Sequence, residues 1–287
     1  MIYSYGGSFQ GSSHEKSGVV CQDANKIEKL NNGTVIAAIA DGVGSCEYSD
    51  EASALAVETA VRVCAEGIKS DPKSDLLMLI ENAFSQAELE IDKLSLSREH
   101  LITEYDTTLS LVIYDGKNVT LGHSGDGGVI GLTRSGDYIA ITTRQKAEGQ
   151  YVIPLRAGKG SWSIEKASGS YASVLLATDG VYDTFFPYLL KGQPTEMYVP
   201  LIRFFMDNRM LKASAKTIDS IAKTRLDYLG SEACASITDD KTLVALINGS
   251  VIPKAKDEAF YAEPDWDALQ TIWNKKAYPH LYGGNEE

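Results

Sequence analysis

Twice in this chain a short apolar run ends in Asp-Gly. Residues 34–40 (Thr-Val-Ile-Ala-Ala-Ile-Ala) lead into Asp41-Gly42, and residues 172–178 (Ala-Ser-Val-Leu-Leu-Ala-Thr) lead into Asp179-Gly180. Runs this short and apolar predict strands buried on both faces. An Asp at the end of such a strand sits at the rim of a core on a rigid base, and the Gly behind it allows a sharp turn and an open carbonyl. Carboxylates held close together repel, so they need a reason to be neighbours, and a divalent cation is the commonest one.

Other acidic residues stand beside other strand signals. Gln22-Asp23 precedes the first run, Gly125-Asp126 follows the run 118–124, and Asp239-Asp240-Lys241-Thr242 opens the run 243–247. Hard cations such as Mg²⁺ and Mn²⁺ take oxygen ligands, and Mg²⁺ keeps several waters, so few protein ligands are needed for each ion. Asp-Gly is also an ordinary turn signal. Asp115-Gly116, between 107–114 and 118–124, predicts a hairpin turn of that kind.

The elements that must position these residues are legible as patterns. Apolar residues at helical spacing predict one helix from Ser49 or Asp50 to about Lys69 and another over 74–94. Strands are expected near 107–114, 118–124, 128–133 and 138–143, with a turn at 134–137. Further helices are expected over 195–208 and 213–229. Two adjacent helices between groups of strands predict an α+β fold with helices packed on antiparallel sheets. Past residue 253, Glu263-Pro264-Asp265 predicts a helix start. Trp266, Leu269, Ile272 and Trp273 then fall on one apolar face, expected to dock on the body of the chain.

Composition narrows the functions. The chain has 287 residues, 44% of them apolar, and a formal net charge of −12. That balance argues against nucleic-acid and anionic-membrane partners. Cys21, Cys46, Cys64 and Cys234 show no paired spacing, which predicts a reducing, cytoplasmic setting without zinc or disulfides. There is no N-terminal apolar leader and no apolar run long enough for a membrane span.

Taken in order, Gln22-Asp23, Ala40-Asp41-Gly42-Val43-Gly44-Ser45, Thr107-Thr108-Leu109, Gly125-Asp126, Ala177-Thr178-Asp179-Gly180-Val181-Tyr182-Asp183 and Asp239-Asp240-Lys241-Thr242 resemble type 2C serine/threonine protein phosphatases, the metal-dependent class, and its bacterial branch. The resemblance spans about residues 6–248 and implies a central antiparallel β-sandwich flanked by helices on both faces. It implies a catalytic domain over 1–250, with a flap over 184–212 near the mouth and Phe185, Phe186 and Tyr188 as substrate contacts, and a tail over 251–287 with a short amphipathic helix.

For the site, the resemblance implies that Asp41 bridges two Mg²⁺ or Mn²⁺ ions and that the Gly42 carbonyl ligates one of them. Asp179 and Asp239 hold the other, Asp23 holds metal-bound water, and Asp126 ligates a third, weaker ion. A metal-activated water then attacks the phosphorus of a phosphoprotein phosphomonoester directly, countering a Ser/Thr kinase. Gln22 stands where Glu is usual and still offers an amide oxygen to a metal. Gly18 stands where a phosphate-binding Arg is usual, and His14 or Lys16 is the substitute. Val43 stands where many relatives carry His. These departures keep two other readings open: a catalytically weak or dead phosphoprotein-binding regulator, and a phosphatase of small metabolites.

Overall fold

The computed structural model describes residues 1–147, 151–206 and 215–282. It contains two five-stranded antiparallel sheets. The first sheet runs β1 (Ile2–Phe9), β10 (Lys241–Asn248), β9 (Tyr171–Ala177), β6 (Gly128–Thr133), β7 (Tyr138–Ala140). The second runs β2 (Asp23–Lys29), β3 (Val35–Asp41), β4 (Leu109–Tyr114), β5 (Val119–Ser124), β8 (Ser163–Lys166).

The continuous apolar strands follow from a four-layer stack. Successive side chains of a strand point to opposite faces. On β3, Ile36, Ala38 and Ala40 meet the helices α2 (Ser49–Ser70) and α3 (Leu76–Ser97), joined there by Leu109 and Leu111 of β4. Val35, Ala37 and Ile39 point the other way and meet Val174, Leu176, Val244 and Leu246 of the facing sheet. On β10, Leu243, Ala245 and Ile247 pack under α5 (Val199–Met206) and α6 (Ala215–Leu229) through Ile202, Phe205, Ile218 and Leu229. Both faces of both sheets are therefore apolar, and an alternating polar pattern has no place in the central strands.

Several expectations shift in detail. Helix α2 begins after Tyr48, and Ser49 spends its hydroxyl on the Cys46 carbonyl at 3.2 Å. Helix α3 is capped by Asp75, whose Oδ1 accepts from the Leu77 amide at 2.9 Å. Strand β7 is shorter than expected because the Thr142 hydroxyl, at 2.9 Å, takes the Val129 amide that a backbone carbonyl would accept. Helix α5 starts only at Val199, with Pro200 in its first turn. The expected helical stretches at 207–208 and 213–214 lie outside the described residues. In the tail, α7 (Trp266–Ala277) lays Trp266 on Tyr198 and Trp273 on Tyr188, at ring-centroid distances of 5.2 and 5.5 Å. Among the described residues no helix is long and apolar enough to cross a membrane.

Antiparallel pairing decides where the acidic loci go. The register Asp23↔Asp41, Leu109↔Ser124 and Leu243↔Ala177 places the ends of β3, β5 and β9 and the starts of β2, β6 and β10 at one end of the sandwich. That end carries Asp23, Asp41, Asp126, Asp179, Asp239 and Asp240.

Candidate metal centre

Asp41, Asp126 and Asp179 each direct a carboxylate oxygen into one small volume, all three within 4.8 Å of one another. Asp23 is buried beside them, opposite Asp41 on the neighbouring strand. Two of these residues are held from behind, Asp41 by its backbone and Asp23 by its carboxylate. The Asp41 amide donates to the Thr108 hydroxyl at 2.9 Å, and its carbonyl accepts from the Thr108 amide at 2.8 Å. The Thr178 hydroxyl donates to Asp23 Oδ2 at 2.8 Å and accepts from the Thr242 amide at 3.1 Å. Asp23 is thereby tied to the two central strands of the other sheet.

The glycines are required for space. Neither Gly42 nor Gly180 has a positive φ, so the sharp turn expected of them is not the reason for their presence. A β-carbon at Gly42 would lie 2.7 Å from the carbonyl oxygens of both Gln22 and Ser49, and one at Gly180 would lie 2.2 Å from the Asp240 carbonyl oxygen. Both positions are close backbone crossings that bring the acidic strand ends together.

Two adjacent acids at the start of β10 behave differently. Asp240 is buried and accepts from the amides of Gly11 and Gln22, each at 2.6 Å. It closes the segment that carries α1 (Ser12–Ser17). Asp239 is exposed, lines an open cleft with Asp179, Gly180 and Asp183, and adds to the negative field on Asp41 and Asp179. His14 Nδ1 stands 3.0 Å from Asp240 Oδ1, within ion-pair range but outside hydrogen-bond geometry, and Lys16 is exposed on α1.

Gln22 is buried. Its Nε2 lies 3.5 Å from the Cys46 carbonyl, and its backbone carbonyl accepts from the Gly42 amide and the Ser53 hydroxyl. Phe185, expected as a substrate contact, is wholly inside the core between helices and sheet, and Tyr188 lies against the tail's Trp273. Cys21, next to this rim, is pushed up to about 12 by burial and then by the Asp240 charge, so it is a thiol and a poor nucleophile.

Without a cation this rim is electrostatically strained. Burial, then the charges of Asp23, Asp179 and Asp239, hold the Asp41 carboxyl well above the usual range. Burial raises Asp23 to about 8 and Asp179 to about 6. Asp23 therefore keeps its proton at neutral pH in the metal-free protein. The donor set fits a hard divalent cation. Gln22 Oε1, Asp23 Oδ1 and Asp179 Oδ1 are buried oxygens with no hydrogen-bond partner among the described residues. Leaving such oxygens buried and unpaired is costly, the more so once the carboxyls ionise, and a cation removes that cost.

Sequence reading missed three parts of this arrangement. Thr108 and Thr178 lie inside the quoted motifs, but only the register shows that their hydroxyls orient Asp41 and Asp23. Lys146, whose Nζ lies 3.2 Å from Asp126 Oδ2, sits in a polar stretch with no periodic signal.

The whole arrangement has relatives. A family model described as protein phosphatase 2C matches residues 10–222. No curated protein matches by sequence. Among solved structures, a bacterial serine phosphatase superposes with a TM-score of 0.58 at 12% identity, covering 89% of this chain and 100% of the other. The serine/threonine phosphatase Stp1 from Staphylococcus aureus superposes at 0.56 with 13% identity, covering 86% and 95%. The catalytic domain of the serine threonine protein phosphatase PstP, in complex with two manganese ions, superposes at 0.55 with 17% identity, covering 86% and 97%. At these identities the superpositions establish the sandwich, and the family match over most of the chain establishes descent: the chain belongs to the protein phosphatase 2C family, the metal-dependent serine/threonine protein phosphatases.

Proposed function

We propose that this chain removes phosphate from phosphoserine and phosphothreonine in proteins, using two Mg²⁺ or Mn²⁺ ions that Asp41 would serve in common. The Gly42 carbonyl would be a ligand of one ion, and Asp179 and Asp239 would hold the other. Asp126, grouped with Asp41 and Asp179, would serve a third, weaker ion, and Gln22 turns a buried amide oxygen without a donor to the same rim. When bound, the ions supply an activated water and neutralise charge on the phosphoryl oxygens. The chain's own residues do the remaining work. Thr178 fixes Asp23 in a pose that accepts a water proton, and Thr108 fixes the backbone of Asp41. His14 and Lys16, on the α1 side of the rim, supply donors to the substrate phosphate in place of the missing Arg.

One observation carries this reading: buried carboxylate and amide oxygens without donors converge at one end of a sandwich. Of the flap expected over 184–212, residues 207–212 lie outside the described residues, and Thr184 lines the cleft beside Asp183, which supports a flap at the substrate's approach. Four free cysteines support a reducing, cytoplasmic setting, and within it a signalling role opposite a Ser/Thr kinase.

The test is hydrolysis of para-nitrophenyl phosphate and of phosphopeptides in Mn²⁺, Mg²⁺ and EDTA, beside a panel of nucleotides and sugar phosphates. Turnover of phosphopeptides that vanishes in EDTA is expected. Full activity after exhaustive chelation would end the two-metal reading. A preference for small metabolites would end the protein-substrate reading. For the phosphate donors, His14→Ala and Lys16→Ala should raise KM on a phosphopeptide, and changes within about twofold in both would remove them from that role.

A further inference from the structure

The carboxylate cluster already contains a cation. Lys146 Nζ stands 3.2 Å from Asp126 Oδ2, and Asp126 is buried while the lysine is one-third exposed. The lysine is held there by backbone. Gly125 has φ +130°, in the region open to glycine, and a β-carbon at that position would lie 2.6 Å from the Thr108 side chain. Its amide and carbonyl both face Gln145. The Gln145 amide donates to the Gly125 carbonyl at 2.8 Å, and Gln145 Oε1 accepts from the Gly125 amide at 3.2 Å. This two-point clamp sets residue 145 against residue 125 and so residue 146 against residue 126. Pairing of Lys146 with Val152, and of the Ala147 amide with the Tyr151 carbonyl, fixes the strand direction beyond it.

The chemistry of Asp126 is thereby different from that of its neighbours. Asp41, Asp126 and Asp179 lie within 4.8 Å of one another and could share a divalent ion. Asp23 Oδ1 and Asp179 Oδ1 are buried without donors, whereas Asp126 has an ammonium in contact. A divalent ion binding at Asp126 must displace that ammonium or bind beside a like charge, and either lowers its affinity.

We propose that Lys146 is the resident cation of Asp126: it takes the place of a divalent ion there and limits how many ions the cluster holds. The proposal rests on the metal-binding reading of the cluster given above.

The test counts ions and needs no turnover. Mn²⁺ bound to the full-length protein is measured by equilibrium dialysis with elemental analysis and by titration calorimetry. Lys146→Gln and Lys146→Met should each bind one Mn²⁺ more than the parent. Lys146→Arg, which keeps the charge, should match the parent. Adding Asp126→Asn to Lys146→Gln should remove the extra ion. Equal stoichiometry and affinity in the parent and both neutral variants overturns the proposal, as does an extra ion that survives Asp126→Asn. Asp41→Asn, run alongside, separates the two readings. If it loses no Mn²⁺, the metal reading fails by itself, while the comparison at Lys146 still decides whether the lysine excludes an ion.

Discussion

Asp-Gly occurs at both ends of the same sandwich, and the two ends solve opposite problems. At Asp115-Gly116, between β4 and β5, the carboxylate accepts from the Lys117 amide at 2.8 Å, the Asn118 amide at 2.7 Å and the Asn118 side-chain amide at 2.8 Å. Partial burial would raise its pKa, but the Asn118 and Lys117 donors outweigh that and hold it below the ordinary value. Gly116 has φ +92°, the conformation a tight turn demands. At Asp41-Gly42 the nearest charged groups are other carboxylates, and the pKa moves the opposite way. Gly42 has no positive φ and is present because two carbonyls crowd it. A turn carboxylate carries its own donors. A site carboxylate is left without them, and that deficit is what a metal fills.

The comparison breaks most readily at Asp41. Asp41→Asn should lower kcat/KM with Mn²⁺ by about 10³-fold or more, since the groups that stabilise transition-state charge go with the ions. Asp41→Asn should also lose Mn²⁺ in calorimetry while keeping the parent's far-ultraviolet circular dichroism. Undiminished turnover in a folded Asp41→Asn protein would show that the two ends differ only in burial.

A second effect concerns stability without metal. Asp23 and Asp179 have folded pKa values raised to about 8 and about 6 from an unfolded value of 3.8, and Asp41 is raised as well. A raised carboxyl stabilises the folded state below its unfolded pKa, and that contribution is lost as pH rises through the folded value. In EDTA, Tm should therefore fall between about pH 4 and pH 8. With saturating Mn²⁺ the fall should shrink or reverse, because the ions bind the ionised rim. Scanning calorimetry at pH 5 and pH 8, with and without Mn²⁺, measures both slopes. A metal-free Tm that rises over this range would mean the rim is already ionised and satisfied.

The sequence made the acidic end legible because the carboxylates terminate strands buried on both faces, and such strands announce themselves by continuous apolar runs. Helices α2 and α3 were legible for a related reason, since each presents one apolar face to a sheet. Three of the four edge strands, β1, β2 and β8, were not. β1 reads Ile-Tyr-Ser-Tyr-Gly-Gly-Ser-Phe and β2 reads Asp-Ala-Asn-Lys-Ile-Glu-Lys, and each lies at the margin of its sheet, where partial exposure admits polar residues. Asp239 and Asp240 could not be told apart by type. The pairing around β10 separates them, burying one against two amides and leaving the other at the cleft. Lys146 left no signal at all, because its place depends on a backbone clamp between segments twenty residues apart.

A smaller change should sharpen the metal side of the comparison. Gln22 Oε1 is buried without a donor, and its Nε2 is at the limit of hydrogen bonding to Cys46. Gln22→Glu exchanges that marginal contact for a formal charge at the rim. Mn²⁺ should bind about tenfold more tightly, or about 1.4 kcal/mol. In EDTA the same variant should melt lower than the parent, because one more carboxylate joins a crowded set. Unchanged Mn²⁺ affinity would place the Gln22 side chain away from the ions.

The smallest effect belongs to the other end. Asp115→Ala removes the acceptor of three donors, but the site is exposed, so water takes over the freed amides. The net cost should be about 1 kcal/mol, or about 2 °C in Tm for a domain of this size. Gly116 continues to favour the turn, and Asn248 Nδ2 still donates to its carbonyl at 2.6 Å, so the β4–β5 register should survive. Mn²⁺ affinity and kcat/KM should stay within about twofold of the parent, because the full length of β4 separates the turn from the rim. Thermal melts, Mn²⁺ calorimetry and phosphopeptide kinetics on this one variant decide the matter. A tenfold loss of metal affinity would mean that the hairpin sets the register in which Thr108 holds Asp41, and the two Asp-Gly ends would then be one mechanical unit.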